Sequence, residues 1–230
     1  AARWWWRIGG GCAMGFGIWS MHFIGMLAFH LPIPLGYDLP KTVYSLIAAC
    51  IASNFALWLV TQRELPPLRH ALGAVLMGGG IAAMHYTGMA AMEMNPGIVW
   101  SRFWFVLSIV VAVVAAGTAL WIAFRLRGES RDAWRMRIVA AMVMGLAVTG
   151  MHYTGMEAAG FPEGSICTAA GPNGMPVKWL ATLVTIAAFA ILAIALMTAV
   201  LDRRLQERTS RLRFSLGKAK DQLVFLALHD

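Results

Sequence analysis

Histidine and methionine recur together three times in this chain in the pattern Met-His-x-x-Gly-Met. The copies are Met21, His22, Gly25 and Met26; Met84, His85, Gly88 and Met89; and Met151, His152, Gly155 and Met156. Imidazole and thioether form a borderline-to-soft donor set, which suits copper over zinc, magnesium or calcium. At about 100° per residue of helix, each histidine and the methionine four residues on share a face, with the glycine about 60° to the other side. One arc of each helix thus offers an imidazole, two thioethers counting the methionine before the histidine, and a gap where a neighbouring backbone can approach. A Met-Gly pair also repeats upstream of each copy, at Met14 and Gly15, Met77 and Gly78, and Met144 and Gly145. The copies stand roughly sixty to seventy residues apart, which marks an internal repeat.

The elements that must carry these residues are helices that cross a bilayer. The 230 residues are 59% hydrophobic and only 13% charged, and the apolar residues fall in runs of about twenty, the length a membrane helix needs. Six candidate spans run roughly from 5 to 29, 42 to 62, 70 to 92, 103 to 124, 138 to 159 and 178 to 201. The expected fold is an all-α polytopic membrane bundle of three repeated helical hairpins, each pairing a motif helix with a return helix. Spans 1, 3 and 5 carry the motifs. Eight residues separate His22 from His30 and His85 from Glu93, so at 1.5 Å per residue the imidazoles lie roughly 12 Å below the point where polar residues resume. The three histidines share a depth.

The net charge of +8 raises the question of nucleic acid, and its distribution answers it. Of the 19 Lys and Arg residues, all but Lys41, Arg102 and Lys178 fall on one side of the six-span arrangement, including Arg63 and the arginines from Arg125 to Arg137. By the positive-inside rule that side is cytoplasmic, so the excess reports orientation and contact with anionic lipid; no nucleic-acid partner is expected. Both termini are then cytoplasmic and the motifs lie near the outer face. Trp4, Trp5 and Trp6, between Arg3 and Arg7, read as an interfacial anchor and not a cleaved signal. Cys12, Cys50 and Cys167 fall at different expected depths, against an internal disulfide.

Of the 15 methionines, all but Met136, Met175 and Met197 lie on or beside the three motif helices. Three ionisable residues at matched depth inside a membrane define a joint polar or metal site. His30 and Glu93 occupy the same slot in the first and second copies, where each is either a partner to the site or an interfacial residue. Two other uses of such residues stand beside a sensor: a copper or proton transporter or channel, and a haem protein with axial histidines. The inner halves of spans 1, 3 and 5 hold no ladder of ligands. No carboxylate pair, activated nucleophile or phosphate loop occurs, so this fragment is not expected to be an enzyme.

The second and third copies read Met-His-Tyr-Thr, and residues 1 to about 201 resemble the MHYT domain, a bacterial integral membrane sensor family. The resemblance implies a seven-span unit in the inner membrane, one helix of which would precede Ala1. It also implies a copper site near the outer face that senses a diatomic gas such as oxygen, carbon monoxide or nitric oxide. The first copy has Phe23 and Ile24 where the others have Tyr86 and Thr87 or Tyr153 and Thr154. The expected ligands are therefore His22, His85 and His152 with Met26, Met89, Met156, Met21, Met84 and Met151. Tyr86 and Tyr153 are left to orient ligands or a bound gas, and Gly25, Gly88 and Gly155 to packing.

After Leu201 the chain becomes charged, with Leu205, Leu212, Ala219 and Leu226 spaced by seven, a weak parallel seam that suits a homodimer. The last five residues, Leu-Ala-Leu-His-Asp, resemble the opening of a GGDEF diguanylate cyclase domain. The chain is thus expected to comprise a membrane sensor domain, 1–201, and a cytoplasmic signalling helix, 202–230. That helix would lead into a C-terminal domain of a cyclic-di-GMP enzyme, a cyclase, a phosphodiesterase or both.

Overall fold

The computed structural model describes residues 2–62, 64–125, 133–172 and 174–229. Arg63, Arg127 and Arg131 of the basic side, and Asp230 of the terminal pentapeptide, lie outside the described residues, as do the side chains of Ala219 and Leu226. Six helices follow in order: α1 (Ala2–Ala28), α2 (Leu39–Val60), α3 (Pro67–Ala90), α4 (Arg102–Arg125), α5 (Ala133–Glu157) and α6 (Val177–His229). The bundle is mostly helical, as the apolar runs predict. The chain falls into two compact units, residues 1–185 and 186–230. The second is helical; on it Arg203 pairs with Glu207 at 3.4 Å and Lys218 lies 5.1 Å from the Phe214 ring.

Helix boundaries follow local chemistry. Asp38 caps α2 by accepting the Lys41 N–H at 2.9 Å, and Pro40 occupies the first turn, where no N–H is missed. Pro66 and Pro67 open α3 in the same way. Among the described residues five helical segments are long and apolar enough to cross a membrane: Trp4–Ala28, Leu39–Val60, Arg102–Arg125, Ile138–Glu157 and Val177–Lys218. The expectation was six. Helix α3 has the length but falls short in hydropathy, because five glycines (Gly73, Gly78, Gly79, Gly80 and Gly88) and the His85-Tyr86-Thr87 triplet dilute it.

The polarity of the first unit is that of a multi-pass membrane protein. Large apolar side chains such as Ile47, Ile51, Val106, Val110, Val114 and Trp121 face outward, and small or polar ones face inward. On α2 the buried positions are Thr42, Ser45, Ala49, Ala52, Ser53, Ala56 and Leu59; on α4 they are Ser108, Ala112, Ala116, Gly117 and Leu120. Such small-residue seams let helices approach closely without a hydrophobic driving force. A Cβ on Gly15 would meet the Ala49 and Cys50 backbone, and one on Gly78 the Val113 backbone. The third upstream glycine, Gly145, faces open space.

Buried hydroxyls tie motif helices to linking helices at equivalent places. Trp19 Nε1 donates to Ser45 Oγ at 2.9 Å, and Tyr86 Oη lies 2.6 Å from Ser108 Oγ; each serine stands at the same distance from the start of its helix. Cys12 and Cys50 are also neighbours, with Cys50 Sγ 3.9 Å from the Cys12 carbonyl. That corrects the different depths expected for them, which followed from span boundaries placed by hydropathy alone.

A small lid of backbone ladders closes one end of the bundle. The segments β1 (Gly36–Tyr37), β2 (Met94–Asn95), β3 (Val99–Trp100), β4 (Ala159–Gly160), β5 (Ile166–Cys167) and β6 (Met175–Pro176) pair antiparallel as β1 with β6, β2 with β5, and β3 with β4. The loop from Phe161 to Val177, read from its glycines and prolines as a solvated cover, is thus bonded into two of the three ladders, β1 with β6 and β2 with β5. Cys167 Sγ is buried and donates to the Met92 carbonyl at 2.8 Å. Tyr37 beside it is 1% exposed, and its phenol is pushed above the ordinary range, first by burial and then by the Cys167 thiol. A raised native value gives a contribution to stability that is full below about pH 10 and is lost as pH climbs through the native value. Tyr37→Phe is expected to flatten the alkaline fall of the thermal unfolding midpoint; an unchanged fall would exclude Tyr37 as its source.

Candidate metal centre

The three motif helices bring their histidines to one point inside the bundle. His22 is 0% exposed, and His85 and His152 are each 1% exposed. Their ring centroids lie 4.7, 5.2 and 5.2 Å apart, each pair edge to face. The Nδ1 atoms turn inward: His22 to His152 is 3.2 Å and His85 to His22 is 3.1 Å. One donor atom from each ring lies within 4.8 Å of the others, a group able to hold a metal ion.

The outer edges of the rings complete a cycle. A Cβ on Gly88 would fall on the His22 ring, one on Gly155 on the His85 ring, and one on Gly25 on the His152 ring, in each case nearest Nε2. Each histidine therefore packs against the glycine of the next repeat, α1 onto α3, α3 onto α5 and α5 onto α1. The sequence reading gave these glycines to an approaching backbone. What approaches is an imidazole, because three helices around one centre point their large side chains at one another's smallest residue.

The donor geometry fits a bound metal. Nitrogens 2.0–2.1 Å from one ion at tetrahedral angles stand about 3.3 Å apart, close to the two Nδ1 separations. Without a proton or a cation at the centre, inward lone pairs at that spacing repel. The three Nε2 atoms lie on the opposite edge of each ring, against the glycines, and are buried without a hydrogen-bond partner.

The remaining candidates divide between the centre and its surroundings. Met26, Met84, Met89 and Met151 are buried, and Met156 packs against the same core; Met21 is half-buried. Tyr86 stands edge-on to His85 and is held by Ser108. Tyr153 stands edge-on to His152 but is 56% exposed. His30 and Glu93 belong to the lid. His30 Nδ1 bonds the Ala28 carbonyl at 3.0 Å, and Glu93 pairs with Lys41 at 2.6 Å, while its own carbonyl receives the Thr168 N–H at 3.1 Å and hydroxyl at 2.8 Å. Sequence reasoning noted Phe23 in place of the tyrosine in the first copy but gave it no role. It is fully buried against Trp19, His22 and Tyr37 and so fills with a ring what Tyr86 fills with a ring and a hydroxyl.

Comparison with known proteins places this arrangement. A family model described as MHYT, bacterial signalling protein N terminal repeat, matches residues 15–73, 78–135 and 145–217, one match for each histidine motif. The chain is 63% identical over 225 residues to the bifunctional diguanylate cyclase/cyclic di-GMP phosphodiesterase MucR of Pseudomonas aeruginosa, covering 98% of this chain and 33% of that protein. It is 38% identical over 212 residues to the cyclic di-GMP phosphodiesterase NbdA of the same organism, covering 90% and 27%. With the signaling protein YkoW of Bacillus subtilis it shares 34% over 210 residues, covering 90% and 26%. The chain thus spans between a quarter and a third of the length of these relatives. No solved structure shows significant similarity to it.

Proposed function

The chain belongs to the MHYT family of bacterial signalling proteins, and from that premise we propose that it is a membrane sensor domain whose three histidines hold one copper ion. The domain regulates a linked cyclic-di-GMP output domain, as the names of its relatives MucR and NbdA, both cyclic-di-GMP enzymes, support. The observation that carries the metal reading is the inward convergence of Nδ1 atoms from three separate helices. The ion favoured is Cu(I), held by His22, His85 and His152 with thioethers drawn from Met26, Met89 and Met156, because thioether and imidazole are soft and borderline donors. When bound, copper supplies a centre that takes a diatomic gas such as oxygen, carbon monoxide or nitric oxide, or changes oxidation state.

The chain's own residues orient and enclose that centre. Gly25, Gly88 and Gly155 leave room for the rings, Tyr86 fixes the edge of His85, and the lid shields the triad from solvent. The basic residues orient the bundle in the bacterial inner membrane with the motifs toward the outer face and the C-terminus in the cytoplasm. Residues 202–230 act as the signalling helix, in a homodimer, and lead to the output domain.

Elemental analysis of the detergent-purified chain tests the reading. Copper near one per chain is expected, and His22→Ala, His85→Ala and His152→Ala are each expected to lose it. Metal-free wild type, or single variants that keep their copper, would leave the triad a packing or proton-linked device.

A further inference from the structure

The threefold pattern around the triad is broken on one side. In two of the three repeats the carbonyl six residues past the histidine is capped by the amide of the residue that opens a linking helix: Asp38 N–H to Ala91 O at 2.7 Å, and Ser101 N–H to Ala158 O at 2.9 Å. Both alanines are fully buried. The residue in the third corresponding position is Pro176, which precedes α6 and has no N–H to give. The corresponding carbonyl, Ala28 O, is met by the His30 side chain instead, and Ala28 itself is exposed.

A cavity of about 570 Å³ opens at this break, between α1 and α5. Its wall includes Gly25 and Ala28 from α1, His152, Met156 and Glu157 from α5, and Phe161. Gly25 is the glycine against which His152 packs, and His152 Nε2 is a buried atom without a hydrogen-bond partner. The cavity therefore reaches one member of the triad from the side. Along α5 the donors run from an exposed carboxylate at Glu157, through a half-buried thioether at Met156, to the buried imidazole of His152. That order goes from hard and hydrated to soft and dry, the order in which a soft monovalent cation sheds water and gains tighter ligands.

We propose that this cavity is the loading port of the centre, through which Cu(I) passes from Glu157 and Met156 to His152 by ligand exchange without change of oxidation state. The inference rests on the reading of the triad as a copper site. Its test is the rate of uptake by the full chain in lipid nanodiscs, stripped of metal and offered Cu(I) as a coloured bicinchoninate chelate whose bleaching reports transfer. Ala28→Trp, which fills the port, is expected to slow uptake and release alike by about tenfold or more, with final occupancy unchanged. Glu157→Gln is expected to slow uptake by about tenfold through loss of steering charge, while Glu163→Gln, in the neighbouring loop, leaves it unchanged. Wild-type rates in Ala28→Trp overturn the port and leave the copper site standing. Should that variant bind no metal at equilibrium, Glu157→Gln decides, and uptake at the wild-type rate overturns the port. Failure of the wild-type chain to take up Cu(I) overturns both readings.

Discussion

Gly25→Ala, Gly88→Ala and Gly155→Ala are each expected to cost about 1–3 kcal/mol of stability and to weaken copper binding by tenfold or more, although none of the three can ligate a metal. The added methyl falls on the imidazole of the next repeat. That ring must swing away, and its Nδ1 leaves the common point. A residue that positions a ligand commonly costs about 10–100-fold in metal affinity when changed. Gly79→Ala, on the same helix as Gly88 but with open space around its Cβ, is the comparison. It is expected to be neutral or to stabilise by about 0.5–1 kcal/mol through reduced backbone entropy in the unfolded chain. Chelator competition and denaturant titration of the four variants read both effects. Equal behaviour of Gly79→Ala and Gly88→Ala would break the link between the glycines and the rings.

The second large effect is on folding. A ligand bound only by the native state at a free concentration a hundredfold above its Kd adds about 2.7 kcal/mol. For a chain of this size each kcal/mol moves the unfolding midpoint by about 2–4 °C, so saturation with Cu(I) is expected to raise it by about 5–10 °C. The ten tryptophans give the fluorescence signal. His85→Ala is expected to show no shift, since the remaining two rings no longer enclose the centre. A shift of the same size in that variant would assign the stabilisation to copper bound elsewhere on the chain.

Much of the centre was legible in the sequence because its logic is periodic. One spacing, repeated on three helices of similar register, places three imidazoles at one depth, and the structure brings His22, His85 and His152 together as that spacing requires. The helices were legible for a related reason: long apolar runs bounded by Asp38 and by the Pro66–Pro67 pair have few other solutions. The cyclic order was not. That His22 meets Gly88 while His152 meets Gly25 depends on which way three helices wind around a common axis, and no single helix encodes it. The lid was also hidden. Two-residue ladders such as Met94 with Cys167 and Gly36 with Pro176 join segments far apart in the chain, too short to leave an alternating pattern. The assignment of His30 and Glu93 as a matched pair followed their equal spacing from the motif. The structure sends them to different partners because each loop after a motif helix has its own path.

The lid also sets mechanical leverage. From His22 to the end of α1 at Ala28 is six residues, about 9 Å of helix, whereas from His22 back to Trp4 is eighteen residues, about 27 Å. On α3 the disproportion is similar, five residues from His85 to Ala90 and eighteen back to Pro67. With the near ends of these helices held by backbone ladders, the ring of histidines acts close to a fulcrum. A change of half an ångström in ring size at the triad, about 9 Å from that fulcrum, becomes about 2 Å at the far ends, about 36 Å from it, the arithmetic of a pair of tongs gripped near the pivot.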